Sequence, residues 1–174
     1  MDNSEIIIRK AVSSDVYMIK KITAEAFASY GKCVGISETI PALNETVEDV
    51  ERDIKTKIVL VAEYNDILVG GVRVEIKHDN TAYLSRFSVS VEHQNHGIGK
   101  LLLNEVDKVM KDRGVKMLYL HTASKILSLI QFYYSRGFYI DSTTKDRGYI
   151  RALLCKSYEE ASYGKSNLYG TYVV

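Results

Sequence analysis

The chain has 174 residues, enough to bury a core without disulfides or metal and short enough for a single unit. Its 46% apolar and 26% charged residues set aside a disordered, fibrous or bilayer-spanning chain, and a net charge of +1 gives no overall field to attract nucleic acid or a membrane surface. The longest apolar runs, 6–8 and 58–62, are strand-sized. Residues 1–5 have no leader character, and Cys33 and Cys155 stand in no metal-ligand spacing. A cytoplasmic protein with free thiols and no bound metal is expected.

A β-branched trio predicts a first strand over 5–10, after which Ser13 or Ser14 reads as the N-cap of a helix. That helix carries Val16, Ile19, Ile22, Ala26 and Phe27 on one face and should stop near Tyr30 and Gly31. Residues 32–44 lose the pattern and read as a loop or helix fragment. Val47, Val50 and Ile54 then mark a second amphipathic helix over 46–57, with Glu48, Asp49, Glu51 and Asp53 as its solvated face. Strands over 58–64 and 67–77 flank Asn65-Asp66, a tight-turn pair, and a third strand follows over 81–91.

From Gly99 the period changes. Leu102, Leu103, Val106, Val109 and Met110 lie on one helical face, and Gly114 supplies a stop. A strand over 115–121 comes next, then a helix over 125–136 capped by Ser124 and ended by Gly137. Strand, helix and strand between 81 and 121 form a βαβ unit with a parallel pair, whereas the remaining strands, including a last hairpin over 138–143 and 149–156, are antiparallel. One unit over 1–174 is expected, with its core over 5–156 and a tail over 157–174.

Gln94-Asn95-His96-Gly97-Ile98-Gly99-Lys100 falls where the third strand gives way to the strongly periodic helix. A helix N-terminus presents unpaired N–H groups and about half a unit of positive charge, and glycines let a phosphate approach them. Lys100 and His96 can add side-chain charge. The Walker pattern is absent, because Leu101 follows Lys100 where a hydroxyl is needed, and a dinucleotide fingerprint fails at Leu102. On its own the loop also allows a strand-to-helix turn that binds nothing.

Two landmarks together resemble the GNAT N-acetyltransferase family. The first is Phe87-Ser88-Val89 followed by Gln94-Asn95-His96-Gly97-Ile98-Gly99. The second is Tyr133-Tyr134-Ser135-Arg136-Gly137-Phe138, which is similar to the family's tyrosine, three residues, glycine and phenylalanine at the end of a helix. The resemblance covers about residues 5–156. It implies an α/β fold of the α+β kind: a mixed, mostly antiparallel central sheet with one parallel βαβ crossover and helices on both faces.

It further implies transfer of an acetyl group from acetyl-CoA to a primary amine, by direct attack in a ternary complex. Main-chain groups of Phe87 and Val89 would pair with the pantetheine arm as if it were an added strand. Gln94, Asn95, His96, Gly97, Ile98, Gly99 and Lys100 would take the pyrophosphate. Tyr133 would protonate the leaving thiolate, although helical periodicity alone reads it as a packed core residue. The family often has an Asn early in the last helix; Ile126 stands there, and Ser124 or Lys125 is the substitute expected to touch the cofactor.

Val91 replaces the usual proline before the loop. No carboxylate occurs over 81–86, where members acting on histones carry a base, so a small-molecule amine is the favoured acceptor. Base candidates are Glu75, His78, His121, Glu38 and Glu45. A non-catalytic acyl-CoA-binding module and a protein amine acetyltransferase are the alternative readings. The oligomeric state stays open, with a homodimer among the states allowed.

Overall fold

The computed structural model describes residues 6–36 and 40–159. Glu38 and the tail from residue 160 onward lie outside them. Seven strands form one sheet: β1 (Ile6–Lys10), β2 (Ile58–Tyr64), β3 (Ile67–Ile76), β4 (Thr81–Val89), β5 (Met117–Ala123), β6 (Tyr139–Thr144) and β7 (Arg151–Ser157). Their spatial order is β1-β2-β3-β4-β5-β7-β6. The β4–β5 pair is parallel and every other pair antiparallel. Four helices accompany the sheet: α1 (Val16–Val34), α2 (Val47–Thr56), α3 (Ile98–Asp112) and α4 (Leu127–Tyr134). Among the described residues no helix is long and apolar enough to cross a membrane.

Alternation along the central strands divides the core. Leu60 and Ala62 of β2, with Leu84, Leu118 and Leu154, pack under Leu102, Leu103, Val106 and Met110 of α3. The intervening Val59 and Val61 face Val16, Ile19 and Val50 of α1 and α2. Helices thus cover both sheet faces. In the β2–β3 turn both Asn65 (φ 50°) and Asp66 (φ 62°) are left-handed, as the right-handed twist of a two-residue hairpin favours.

Three helix ends differ from expectation. The first helix opens through a 3-10 turn, Ser13–Asp15, and neither serine caps it. The Asp15 carboxylate instead accepts the Val12 N–H at 2.8 Å and pairs with Arg9 at 2.8 Å. The helix also runs past Gly31 to a left-handed Gly35 (φ 75°). A Cβ on Gly31 would lie 2.6 Å from the Ile36 carbonyl oxygen, so this glycine makes room for the returning chain instead of ending the helix. Finally, α4 begins at Leu127 with no side-chain cap, because the Ser124 hydroxyl donates to the Ile150 carbonyl at 3.1 Å.

The second helix begins as read: Thr46 and Asp49 form a reciprocal capping box, at 3.1 and 3.0 Å. Its acidic residues are not all solvated. Asp53 is buried with Arg73, which is only 1% exposed, and joins it at 2.7 Å. Arg73 also grips both oxygens of Glu45, at 2.6 and 2.7 Å, while Lys57 reaches Asp53 at 2.8 Å and Arg86 reaches Glu45 at 3.1 Å. The network ties α2 and the segment before it to β3 and β4.

Candidate active site

β4 and β5 pair only at Thr81–Met117, Ala82–Leu118 and Tyr83–Tyr119, after which both strands continue without a shared ladder. The cause lies in β4. Between its pairings Arg73–Ser85 and Gly71–Ser88 the strand carries one residue more than β3, and within that bulge Arg86 is left-handed at φ 51°. An extra residue bends its strand and raises the local twist. A cavity of about 780 Å³ opens at the resulting fork, a size that suits a small-molecule or cofactor site.

On one side the cavity is lined by Phe87 and Val89 of β4, and by Gln94, Asn95, Gly97, Ile98, Gly99 and Lys100. Asn95 (φ 65°) and Gly97 (φ 81°) are both left-handed, which turns the chain into α3. The first main-chain bond of that helix runs from the Leu101 N–H to the Gly97 carbonyl at 3.1 Å. The N–H groups of Ile98, Gly99 and Lys100 therefore have no helical acceptor and present an anion-seeking end. The Gln94 side chain donates to the Val89 carbonyl at 3.2 Å. His96 is exposed, donates Nδ1–H to the Gln94 carbonyl at 2.8 Å, and lies off the cavity lining, as does Ser124.

Tyr133 of α4 lies in the cavity wall and also in the core. Its ring meets Phe132 at 5.3 Å, Phe138 at 5.6 Å and Phe87 at 6.3 Å. No hydrogen bond reaches its hydroxyl among the described residues, where every fully enclosed side-chain polar atom has a partner, so the hydroxyl borders the cavity space. Burial pushes this phenol well above its ordinary value of 10.0, which keeps its proton in place at neutral pH.

The opposite side of the cavity is aromatic and basic. Tyr30 of α1 and Tyr149 of the β6–β7 connection bring their hydroxyls within 3.3 Å of each other. Tyr83 of β4 and His121 of β5, facing each other across the fork, share a 2.8 Å hydrogen bond between the hydroxyl and Nδ1. Burial first, and then the Arg151 guanidinium, lowers His121 below its ordinary 6.5. Arg86, Arg147 and Arg151 complete this wall.

Of the base candidates among the described residues, which leave out Glu38, only His121 lines the cavity. Glu75 and His78 are exposed away from it, and Glu45 is committed to Arg73 and Arg86. The Tyr30–Tyr149 contact and the three arginines had no signal in the sequence, because their partners meet only through the fold.

A sheet forked at its one parallel pair, with unpaired helix amides at the mouth of the fork, defines a receptor for an extended ligand that carries phosphate at one end. The chain belongs to the Acetyltransferase (GNAT) family, whose sequence profile matches residues 22–138. Spermidine N(1)-acetyltransferase of Thermoplasma acidophilum is 35% identical over 78 residues, 44% of this chain and 47% of that protein. The match thus spans about half the length of that curated relative.

The crystal structure of PaiA N-acetyltransferase from Thermoplasma acidophilum, in complex with coenzyme A, superposes with a TM-score of 0.77 at 23% identity, covering 88% of this chain and 99% of that one. The ribosomal-protein-S18-alanine N-acetyltransferase of Escherichia coli gives 0.73 at 18% identity, over 95% and 99%. At these identities the likeness is one of fold.

Proposed function

We propose that the protein is an N-acetyltransferase that moves the acetyl group of acetyl-CoA to the primary amine of a small molecule within a ternary complex. The observation that carries this reading is the shared cavity: helix amides fit for a pyrophosphate at one side, and the Tyr133 hydroxyl and the His121 imidazole on the same wall system. The coenzyme A complex of the PaiA neighbour supports the donor, and the spermidine acetyltransferase relative supports a small-molecule amine.

In this reading the amides of Ile98, Gly99 and Lys100 hold the donor's pyrophosphate, aided by the Lys100 ammonium. Open main-chain groups of β4 at Phe87 and Val89 take the pantetheine as an extra strand, Gln94 yielding the Val89 carbonyl. His121 removes a proton from the acceptor ammonium. It does so from Nε2, in the tautomer whose Nδ1–H donates to Tyr83. The freed nitrogen attacks the thioester carbon, the C–N bond forms, and the C–S bond breaks. Tyr133 gives its proton to the departing thiolate, whose own basicity is raised by the same dry surroundings, and the phenolate takes up the second proton that the newly acylated nitrogen sheds.

Thiol release from acetyl-CoA in the presence of a panel of amines tests the proposal. Release that depends on an acceptor, with a mass gain of one acetyl group on that acceptor, is expected. Acetyl-CoA that stabilises the fold yet is never consumed with any acceptor would point to a binding module instead.

A further inference from the structure

Resting on the acetyl-transfer reading, we infer that the acceptor is a primary amine that also carries an anionic group, carboxylate or phosphate, and that the guanidinium of Arg147 receives that group. Among the described residues no Asp or Glu lines the cavity, whereas Arg86, Arg147 and Arg151 all do. A polyamine brings a second ammonium into the site and needs a carboxylate to meet it. Here it would meet guanidinium instead.

The nearby carboxylates are already committed. Asp146 is bound by Arg151, Nε to Oδ1 at 3.0 Å, which makes that pair neutral. Behind Arg86, the three cations Lys57, Arg73 and Arg86 share only Glu45 and Asp53, so this cluster keeps a surplus positive charge. Arg147 is exposed and has no hydrogen bond or ion pair among the described residues. The phenols between these groups offer no countercharge: burial raises both Tyr30 and Tyr83 above the ordinary 10.0, so they stay neutral and can donate O–H bonds to an anion.

The left-handed backbone of Arg86 is a further sign. A non-glycine residue held at φ 51° in the bulge of β4 is a local cost, and such residues concentrate at ligand sites. Burial is the main cause of the lowered basicity of His121, and Arg147 adds to it in the same direction. An acceptor oriented this way sets its anion towards Arg147 and its amine towards His121 and the donor thioester.

Matched amines that differ only in the anion decide the matter: phenylalanine against phenethylamine, and O-phosphoethanolamine against ethanolamine, with spermidine as the polycation. In thiol-release assays the anionic member of at least one pair should have a kcat/KM about tenfold or more above its neutral partner and above spermidine. The pair that discriminates tells carboxylate from phosphate. Arg147→Gln, a change at an exposed side chain, should erase most of that preference through the acceptor KM.

Better turnover of spermidine or of the neutral amines would overturn the inference, as would an effect of Arg147→Gln on the KM for acetyl-CoA alone. If no amine is acetylated, calorimetry on the CoA-saturated protein separates the two claims. Binding of N-acetylphenylalanine or N-acetyl-O-phosphoethanolamine that is lost in Arg147→Gln keeps the anion site while the transferase reading fails. No binding of either removes the anion site as well.

Discussion

The ring of Phe87 approaches Gly99 so closely that a Cβ on the glycine would lie 3.1 Å from Phe87 Cζ. The same ring stacks on Phe132 at 6.0 Å and 15° and leans on Tyr133 at 6.3 Å. The second loop glycine is therefore fitted to the aromatic cluster that carries Tyr133, in addition to any service to a phosphate. Gly99→Ala should push Phe87 or the start of α3 aside, costing about 1 kcal/mol of stability and raising the KM for acetyl-CoA several-fold. Gly97→Ala is a contrasting case, with open space around it but φ +81°, so its cost of about 1 kcal/mol comes from the backbone. Melting curves with and without coenzyme A would distinguish them: only a loop distortion reduces the ligand-induced shift.

Tyr133→Phe keeps the ring contacts with Phe132, Phe138 and Phe87 and removes only the hydroxyl. Since that hydroxyl has no protein partner, stability should change by less than about 1 kcal/mol. If it protonates the thiolate, kcat should fall about a hundredfold while the Kd for coenzyme A is retained. An unchanged kcat at saturating substrates would assign Tyr133 to packing alone.

Much of the loop side of the cavity was legible because local chemistry decides it. The change of period into α3 located the unpaired amides, and Gly97 marked the turn. Asn65-Asp66 set the pairs beside the turn, Tyr64–Ile67 and Glu63–Leu68, in the same local way, before a bulge shifts the register of β2 and β3 by one residue. The aromatic and basic side, and the buried network behind it, were not legible, for their parts are joined by distance. Tyr30 and Tyr149 meet across 119 positions, and Arg73 finds Glu45 and Asp53 across 28 and 20. Nor does hydropathy reveal that both faces of β3 are covered, which turns an arginine between Val72 and Val74 into a buried residue. No side chain takes the capping role expected of a serine; Asp15, held by Arg9 of the preceding strand, accepts the Val12 N–H instead.

The Arg73 network gives a stability prediction. Arg73→Met removes the cation from two carboxylates whose side chains are only 5% and 9% exposed. Loss of one partner from a buried ion pair costs about 3–5 kcal/mol, and the lower end applies here because Arg86 and Lys57 remain in contact with Glu45 and Asp53. Urea denaturation should register the loss as a lower midpoint. Adding Glu45→Gln to Arg73→Met should recover part of it, since the stranded charge is then gone; a purely additive double variant would refute the coupling.

The pH dependence follows from the His121 imidazole. It faces Tyr83 of β4, Arg151 of β7, and Asp146 and Arg147 of the connection before it. Burial, Arg151 and Arg147 lower its basicity, and Asp146 opposes them only in part. Between the lowered folded-state value and the unfolded 6.5, the unfolded chain binds more protons. Stability therefore rises with pH across that window and falls as pH drops through it. The catalytic consequence has the same sign. If neutral His121 is the base, kcat/KM should decline in acid with a midpoint below 6.5 that matches an NMR titration of the His121 ring. His121→Gln should lower the rate by about tenfold to a hundredfold and abolish that acid limb. The acceptor amine's own titration lies at higher pH and stays in place. An acid limb that persists unchanged in His121→Gln would assign the proton to another group and leave His121 as a partner of Tyr83 alone.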